Sequence, residues 1–283
     1  MLDAAQTIDF DRLPFVNEGE SKVVRRFAPG KLAIKLKPTV YSFTHNRYGE
    51  VHGTDIVRTF FAAETFARME RAARDGTLDV RTAFLGLEWA EDGPVLLQRE
   101  MEPCNLEVRV KRYHVGSPLH RYRYAERHRS TLDTGPVRAW TRFPEPVVCF
   151  DWRHPLRDEA GQQLADEPIS DDYAGLWMCD PGRAKTIARS AFAWLETLFA
   201  ERELTLVDIC FFIDRTGTTL YGEISPDCMR VRFGTGDPEL SQPGDKDSWR
   251  RGDAPDLVFE RYRALYERIF PDGQPIVSKE KTL

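Results

Sequence analysis

Acidic, hydroxyl and basic side chains gather in one segment of the chain, the run Tyr221-Gly-Glu-Ile-Ser-Pro-Asp-Cys-Met-Arg230. An apolar, strand-forming run from Leu204 to Ile213 precedes it, a turn follows, and a return strand is predicted from Thr218 to Ile224. Carboxylates are the hard oxygen ligands that Mg²⁺ needs, and arginine binds phosphate as a bidentate fork. This strand–turn–strand therefore carries the candidate site.

The strand–turn–strand resembles the active-site hairpin of the SAICAR synthetase family, ligases of purine biosynthesis. In that family the first strand usually reads Val-Asp-Phe-Lys-Leu-Glu-Phe-Gly, and the return ends in Gly-Asp-Glu-Ile/Phe-Ser-Pro-Asp, two residues and Arg. The matching positions here are Glu223, Ser225, Pro226, Asp227 and Arg230. The resemblance implies that Asp208, Glu223 and Asp227 are the catalytic residues. Asp208 and Glu223 would organise a metal or the amine donor, and Asp227 would orient the substrate.

Three charged positions of the family hairpin are changed in this chain. Alternate residues of a strand share one face, so Asp208, Cys210 and Phe212 lie together where the family has Asp, Lys and Glu. On the return, Gly222 stands where the family has an aspartate. The family uses the missing glutamate and aspartate for the magnesium ion on ATP, and phenylalanine and glycine offer no oxygen ligand. Either Mg²⁺ moves to nearby carboxylates such as Asp208 and Glu223, or the triphosphate chemistry is lost or altered.

A second segment, Glu18-Gly-Glu-Ser-Lys22, resembles the family motif Glu/Arg-Gly-Lys-Ser/Ala-Lys, which begins the nucleotide-binding strands. A glycine lets the backbone approach a phosphate closely, and a lysine on the following strand neutralises that phosphate. The resemblance implies that Gly19, Ser21 and Lys22 bind ATP, although Glu20 replaces the first lysine of the motif. Taken alone, the segment is better explained as an ordinary turn with a surface lysine.

Two further segments resemble the substrate-binding segments of the family. In Lys111-Arg-Tyr-His-Val-Gly-Ser117 the Gly-Ser pair is kept after a predicted strand, and the arginine of the family appears as Lys111 or Arg112. Asp245-Lys-Asp-Ser-Trp-Arg250 resembles a cleft-lining Asp-Lys-Asp/Gln-x-Phe-Arg segment. The residues that the resemblance assigns to substrate binding are Lys111, Arg112, Ser117, Arg230, Asp245, Lys246 and Arg250.

The composition is that of a globular chain without a general polyanion-binding surface. The 283 residues are 41% hydrophobic and 30% charged, and the net charge of −5 argues against nucleic-acid or membrane partners. No apolar run reaches the roughly 20 residues of a membrane span, and no secretion leader is indicated. The five scattered cysteines include no C-x-x-C pair, so neither a disulfide framework nor a zinc site is indicated. We expect a cytoplasmic protein with small-molecule partners, and the sequence leaves a homodimer open.

The predicted elements form an α+β protein of the SAICAR synthetase type. Strands dominate the first part of the chain apart from a helix at 55–74, and further helices are predicted at 183–202 and 255–269. We expect a small β-rich nucleotide-binding lobe over residues 1–103 and a larger mixed substrate-binding and catalytic lobe over residues 104–283. The active site would then lie in the cleft between the two lobes.

The resemblance implies an ATP-dependent ligase that forms an amide. It would join the carboxylate of an aminoimidazole-type or nucleoside-like ribonucleotide to the amine of an amino acid such as aspartate. The altered hairpin favours a specialised paralogue in nucleotide or nucleoside natural-product biosynthesis.

Two alternatives stay open. The chain could be an ATP-independent enzyme or ligand-binding protein that reuses the ribonucleotide pocket. Cys210 and Cys228 would then gain interest, although free cysteines are commonly buried fillers. It could also be a small-molecule kinase, on the distant similarity of this ligase fold to kinases.

Overall fold

The computed structural model describes residues 7–42, 47–155, 157–162 and 164–276. The N-terminal strands are β1 (Phe15–Glu18), β2 (Lys22–Ala28), β3 (Lys31–Leu36), β4 (Thr39–Ser42), β5 (Arg47–Glu50), β6 (Arg81–Thr82), β7 (Phe84–Ala90) and β8 (Gly93–Arg99). Five of them form an antiparallel sheet in the order β1-β2-β3-β8-β7, and β4 and β5 form a separate hairpin.

The second sheet contains the strand that begins the predicted site. The later strands are β9 (Leu106–Tyr113), β10 (Arg142–Trp152), β11 (Glu167–Ile169), β12 (Leu204–Ile213), β13 (Thr219–Tyr221) and β14 (Met229–Phe233). The sheet order is β11-β10-β9-β12-β13-β6, and β14 also pairs with β12. One edge of β12 lies along β9, whereas β13 and β14 share its other edge in succession.

The Ser-Pro-Asp segment fills the gap between β13 and β14. The backbone N–H of Cys210 donates to the carbonyl of Cys228 at 2.8 Å, so the segment turns directly beside the middle of β12. The return strand ends at Tyr221 rather than at Ile224, because the glycine that follows has a positive φ and leaves the ladder. Sequence analysis did not predict β14, which holds the far end of the segment against β12.

Three long helices support the sheets. The helices are α1 (Thr54–Arg74), α2 (Ser117–Arg121), α3 (Asp171–Ala174), α4 (Pro181–Ala200), α5 (Asp247–Arg250) and α6 (Pro255–Ile269), with single 3₁₀ turns at Phe10–Arg12 and Ala125–Arg127. The three predicted helices are confirmed as α1, α4 and α6. α1 packs on the first sheet and on α6, and α4 packs on β9, β10 and β12. The α+β class is therefore confirmed.

A continuous apolar core runs through both parts of the chain. Its buried members include Ile34 of β3, Phe61 of α1, Phe192 of α4 and Tyr262 of α6. The link between β8 and β9 contains the predicted boundary at residue 103, and the division into two lobes stays a prediction. Within the described ranges, every helix is too short or too polar to cross a membrane.

Candidate functional site

Charged side chains collect on one face of the second sheet. The register places Asp208 opposite Lys111 and Arg230, and it places Cys210 opposite Arg109. Side chains alternate along a strand, so the odd-numbered residues of β9 lie on this side while residues 106, 108 and 110 are buried in the core. We call this surface the charged face, and it is formed by Glu107, Arg109, Lys111, Asp208, Cys210, Phe212 and Arg230.

Asp208 joins two cations of the charged face. Its Oδ2 accepts hydrogen bonds from Nζ of Lys111 and from Nη1 of Arg230, both at 2.6 Å. Burial alone would raise the pKa of Asp208, but Arg230 and Lys111 outweigh burial and lower the pKa to about 2. The ionised carboxylate therefore fixes both cations at one place.

Gly116 and Ser117 lie beside these cations. Gly116 has a φ of +72°, and a Cβ at this position would lie 2.7 Å from Nη2 of Arg230. Glycine therefore satisfies both the backbone conformation and the close approach of the guanidinium. Oγ of Ser117 accepts a hydrogen bond from Nη1 of Arg109 at 2.9 Å. The structure thus brings Lys111, Ser117 and Arg230 together around a glycine.

Arg112 lies away from this group, on the opposite face of the sheet. Its Nε lies 2.7 Å from Oε1 of Glu196, and its Nη2 lies 2.5 Å from Oε2 of the same carboxylate on α4. Of the two cations that sequence analysis considered, only Lys111 reaches the charged face. Arg112 instead ties β9 to α4.

Asp227 and Lys246 form an ion pair above the charged face. Nζ of Lys246 lies 3.2 Å from Oδ2 of Asp227, and the Tyr262 hydroxyl donates to Oδ1 at 3.3 Å. Burial raises the pKa of Asp227, but Lys246 and Arg58 outweigh burial and leave the pKa below its usual value. The Ser-Pro-Asp aspartate is therefore ionised and fixed by the loop that follows β14.

Asp245 and Arg250 belong to a second ionic cluster in that loop. Asp245 is completely buried, and its Oδ2 lies 3.0 Å from Nη1 of Arg232. Arg250 pairs with Asp247, whose Oδ1 lies 3.4 Å from Nε of Arg230. Asp245 supports the loop from inside, whereas Arg250 lies in the group of charges that includes Arg230.

The same loop is attached to the hairpin of β4 and β5. The guanidinium carbon of Arg47 lies 3.6 Å from the centroid of a Trp249 ring, and such a cation is attracted to the ring face. Arg47 also donates hydrogen bonds to the carbonyls of Trp249 at 2.6 Å and Asp253 at 3.0 Å. A strand from the N-terminal part of the chain therefore holds the loop in place.

Glu223 is bound by an arginine that sequence analysis did not single out. Arg58 of α1 donates to both carboxylate oxygens of Glu223, and Oγ of Ser225 donates to one of them at 3.0 Å. Arg58 is completely buried and also donates to the carbonyl of Lys37 at 3.0 Å. The available signal was a charged residue inside the apolar part of a predicted helix, because a buried charge needs a partner.

Lys22 lies against Phe212 at one end of the charged face. Nζ of Lys22 lies 5.2 Å from the centroid of the Phe212 ring, and the guanidinium carbon of Arg153 lies 4.7 Å from the same centroid. Gly222 has a φ of +81°, and a Cβ there would lie 3.1 Å from the ring and 3.5 Å from Nζ of Lys22. Burial lowers the pKa of Lys22, and the neighbouring Arg153 adds to this effect.

Gly19 and Ser21 shape the turn that precedes Lys22. The backbone N–H of Gly19 donates to the carbonyl of Lys22 at 2.9 Å, and the carbonyl of Ser21 accepts from the N–H of Lys37 at 2.8 Å. A Cβ at Gly19 would meet no atom within 4 Å, so the turn has open space on that side.

Arg109 gathers three carboxylates and was also missed by sequence analysis. Its guanidinium nitrogens lie 3.0 Å from Glu107, 2.8 Å from Asp151 and 3.2 Å from Asp166. Opposite Arg109, burial raises the pKa of the Cys210 thiol to about 12. Cys210 is therefore a protonated thiol near neutral pH rather than a reactive thiolate.

Comparison with known proteins identifies the family of this chain. The profile of SAICAR synthetase matches residues 16–258 of the chain. The chain belongs to the SAICAR synthetase family. That family consists of ligases that form C–N bonds, and the changed hairpin makes this chain a divergent member of it.

Two related proteins and a solved structure agree with this family. The chain is 26% identical over 259 residues to phosphoribosylaminoimidazole-succinocarboxamide synthase of Methanoregula boonei, which covers 89% of this chain and 87% of that protein. It is also 26% identical to bifunctional cordycepin biosynthesis cluster protein 3 of Cordyceps militaris, over 85% of this chain but only 31% of that longer protein. A solved SAICAR synthetase (type 2) in complex with ADP has a TM-score of 0.68 at 23% identity, covering 92% of this chain and 99% of that chain. The last likeness shows the SAICAR synthetase fold.

Two carboxylates of the SAICAR synthetase motif are missing from this chain. Phe212 and Gly222 replace the acidic positions of the motif, and neither side chain can bind a cation through oxygen. Asp208 and Glu223, the two expected substitutes, are each already bound by basic side chains. In the part of the chain that the structure describes, no three His, Cys, Asp or Glu side chains are grouped so as to hold a metal. The residues present therefore do not fit a carboxylate-bound Mg²⁺.

Proposed function

We propose that the chain is an ATP-dependent ligase that forms an amide between the carboxylate of a phosphorylated, nucleotide-like substrate and the amine of an amino acid such as aspartate. The observation that carries the proposal is the arrangement of Lys111, Ser117 and Arg230 around Gly116. Two cations and a hydroxyl group beside a glycine match the charge and the hydrogen-bonding needs of a phosphate group. The family supplies the C–N ligase chemistry.

The relatives support a specialised role. One relative is a phosphoribosylaminoimidazole-succinocarboxamide synthase, and another is named for cordycepin biosynthesis. Together they favour a ligase reaction on a nucleotide-like compound in nucleoside natural-product biosynthesis. A structural neighbour was solved with ADP, which favours ATP as the phosphoryl donor.

The charged face divides into a substrate end and a nucleotide end in this proposal. At the substrate end, Lys111 and Arg230 hold the phosphate of the substrate, and Asp208 keeps both cations in place. Asp227 orients the substrate. The residues that close the cleft over it are Asp245, which supports the loop, together with Lys246 and Arg250. At the nucleotide end, the turn of Gly19 and Ser21 and the ammonium group of Lys22 bind ATP.

A carboxylate is a poor electrophile, which explains why the reaction needs ATP. Transfer of the γ-phosphoryl group to a carboxylate oxygen gives an acyl phosphate and ADP. The amine then attacks the acyl carbon, the C–O bond to phosphate breaks, and the amine proton leaves with the released phosphate or with water. The residues of the chain bind and orient the reactants and balance their charges, which supplies most of the rate enhancement in phosphoryl transfer.

Calorimetry and product analysis test this function. We expect a carboxylated aminoimidazole ribonucleotide to bind the protein, and ADP to accumulate over many turnovers only when the ribonucleotide, ATP and aspartate are all present. Mass spectrometry should then detect the amide. A protein that releases no ADP with any carboxylated nucleotide would not be a ligase of this type.

A second candidate is an ATP-independent enzyme or a binding protein that uses the ribonucleotide pocket alone. One observation favours it, because the substrate end is assembled while the nucleotide end lacks its two acidic positions. This candidate predicts that the ribonucleotide binds tightly while ATP shows no binding at millimolar concentration.

A further inference from the structure

Two basic side chains flank the Phe212 ring without a carboxylate between them. Nζ of Lys22 and the guanidinium carbon of Arg153 lie 5.2 Å and 4.7 Å from the ring centroid. Among the described residues, the ammonium group of Lys22 has no hydrogen-bond acceptor and no ion-pair partner, and its contact is with the Phe212 ring. The Lys22 ammonium group therefore has no paired carboxylate, and an unpaired, partly buried ammonium group is costly without an anion.

Neighbouring acidic groups neutralise this pair only in part. Glu223 is a carboxylate whose charge acts on Lys22, but Arg58 already binds both of its oxygens. Arg153 lies 3.7 Å from one oxygen of Glu107, and Arg109 binds the other oxygen of that carboxylate at 3.0 Å. Two cations thus retain charge that a bound anion can balance.

The space around the pair is open to a ligand. The Arg153 side chain is 46% exposed, so its guanidinium can reach a group that arrives from solvent. Gly222 places no side chain beside Nζ of Lys22, where even a Cβ would lie at 3.5 Å. The changes at positions 212 and 222 therefore belong together, because the glycine leaves room both for the ring and for a ligand beside the ammonium group.

We propose that Lys22 and Arg153, on the ring of Phe212, form an anion site that binds the phosphate groups of a nucleotide directly, without a metal ion held by protein carboxylates. The inference rests on the proposed use of ATP, whose polyphosphate carries enough charge to engage two cations. A divalent ion supplies two positive charges, and Lys22 and Arg153 supply the same number from side chains. This assignment explains why both acidic positions can be lost together.

Calorimetry with ADP and with inorganic tripolyphosphate tests the site in EDTA and in excess Mg²⁺. We expect both ligands to bind at least as tightly in EDTA, because Mg²⁺ neutralises the phosphates that the two cations attract. Arg153→Ala and Lys22→Met should each weaken binding about tenfold or more. The exposed variants Arg74→Ala and Lys31→Met serve as matched controls, and thermal melting shows whether each variant is folded.

Phe212→Glu gives a second, opposite test. A carboxylate between the two cations should remove metal-free binding and make ADP binding depend on Mg²⁺. The site is overturned if wild-type protein binds ADP only with Mg²⁺, if it binds neither probe, or if Arg153→Ala binds like the wild type. Binding of aspartate, but not of either phosphate probe, by the same two residues would also overturn it.

The two proposals fail in different ways. Metal-independent ADP binding without amide formation would leave the anion site standing and overturn the ligase function. Amide formation that requires Mg²⁺ for ADP binding would support the ligase function and overturn the anion site.

Discussion

Nη2 of Arg58 lies 2.9 Å from Oε1 and 3.0 Å from Oε2 of Glu223. Their side chains are 0% and 6% exposed, so this ion pair is buried between α1 and the Ser-Pro-Asp segment. A buried pair contributes little net stability, but removing one partner leaves the other charge unpaired at high cost. Through Glu223, α1 therefore helps to position the Ser-Pro-Asp segment.

Arg58→Met should strongly destabilise the protein. The change leaves the Glu223 carboxylate buried without its cation, which costs about 3–5 kcal/mol. Urea unfolding measures the loss, and Arg74→Ala at the exposed end of the same helix is the control. The double variant Arg58→Met with Glu223→Gln should recover part of the stability. Equal stability of Arg58→Met and the wild type would contradict the importance of this pair.

Lys111→Ala and Arg112→Ala should have different effects although the residues are adjacent: the first should weaken ligand binding, and the second should lower stability. Lys111→Ala removes a cation of the charged face, so we expect about tenfold weaker binding of a carboxylated aminoimidazole ribonucleotide. Arg112→Ala breaks the contact with Glu196 on α4 and should cost about 1–3 kcal/mol of stability while affinity is kept. Calorimetry and urea unfolding on both variants check the contrast. Loss of affinity in Arg112→Ala alone would reverse the assignment.

Arg230→Ala should weaken binding of a phosphorylated substrate by about 2–4 kcal/mol, because it removes a buried charge-assisted contact. The same variant should bind the unphosphorylated nucleoside analogue nearly as well as the wild type does. Calorimetry with the two ligands separates phosphate binding from a general loss of the pocket. Wild-type affinity for the phosphorylated ligand would remove Arg230 from the phosphate site.

Gly222→Ala should destabilise the protein by about 1–3 kcal/mol, because the residue has a φ of +81° and its new Cβ would press on the Phe212 ring. In the background Phe212→Ala the same change should cost less, since the contact at 3.1 Å is gone and only the backbone term remains. A double-mutant cycle by urea unfolding measures the difference. Strictly additive effects would show that the two positions do not interact.

Asp208 should make stability depend on acid pH. Its pKa falls from the ordinary 3.8 to about 2 in the folded protein, so the folded state binds fewer protons between these values. The stabilisation is complete above about pH 4 and is lost as the pH falls towards about 2. Asp208→Asn should therefore be less stable than the wild type at pH 6, with a difference that shrinks below pH 4. A difference that stays constant from pH 6 to pH 3 would exclude this origin.

The sequence predicted those features that depend on local pattern. Apolar periodicity located α1, other local sequence signals located α4 and α6, and the alternation of β12 placed Asp208 on the face that carries the site. The same alternation in β9 already separates Lys111 from Arg112, since Val108 and Val110 belong to the buried side. That signal was present in the sequence and was not used.

The remaining features depend on contacts between distant segments. Arg58 and Glu223 are 165 residues apart, and no local pattern pairs them. β14 was missed because its pairing with β12 follows an irregular turn whose length hides the register. The closeness of Arg153 to the Phe212 ring likewise joins residues far apart in sequence, one directly after β10 and the other in β12.

The attachment of Arg47 to Trp249 links the two ends of the site. Arg47 lies in the hairpin that leads into α1, whereas Trp249 lies in the loop that carries Lys246 and Arg250. In the proposed function, a ligand that draws this loop onto the charged face therefore also acts on the hairpin of β4 and β5, whose Thr39 donates a hydrogen bond to the carbonyl of Glu20 in the turn before Lys22. If the chain binds both ligands as proposed, any coupling between their affinities is reciprocal, so the nucleotide would favour the substrate by the same factor by which the substrate favours the nucleotide. Binding at one end of the site would then change the affinity of the other end, whichever ligand binds first.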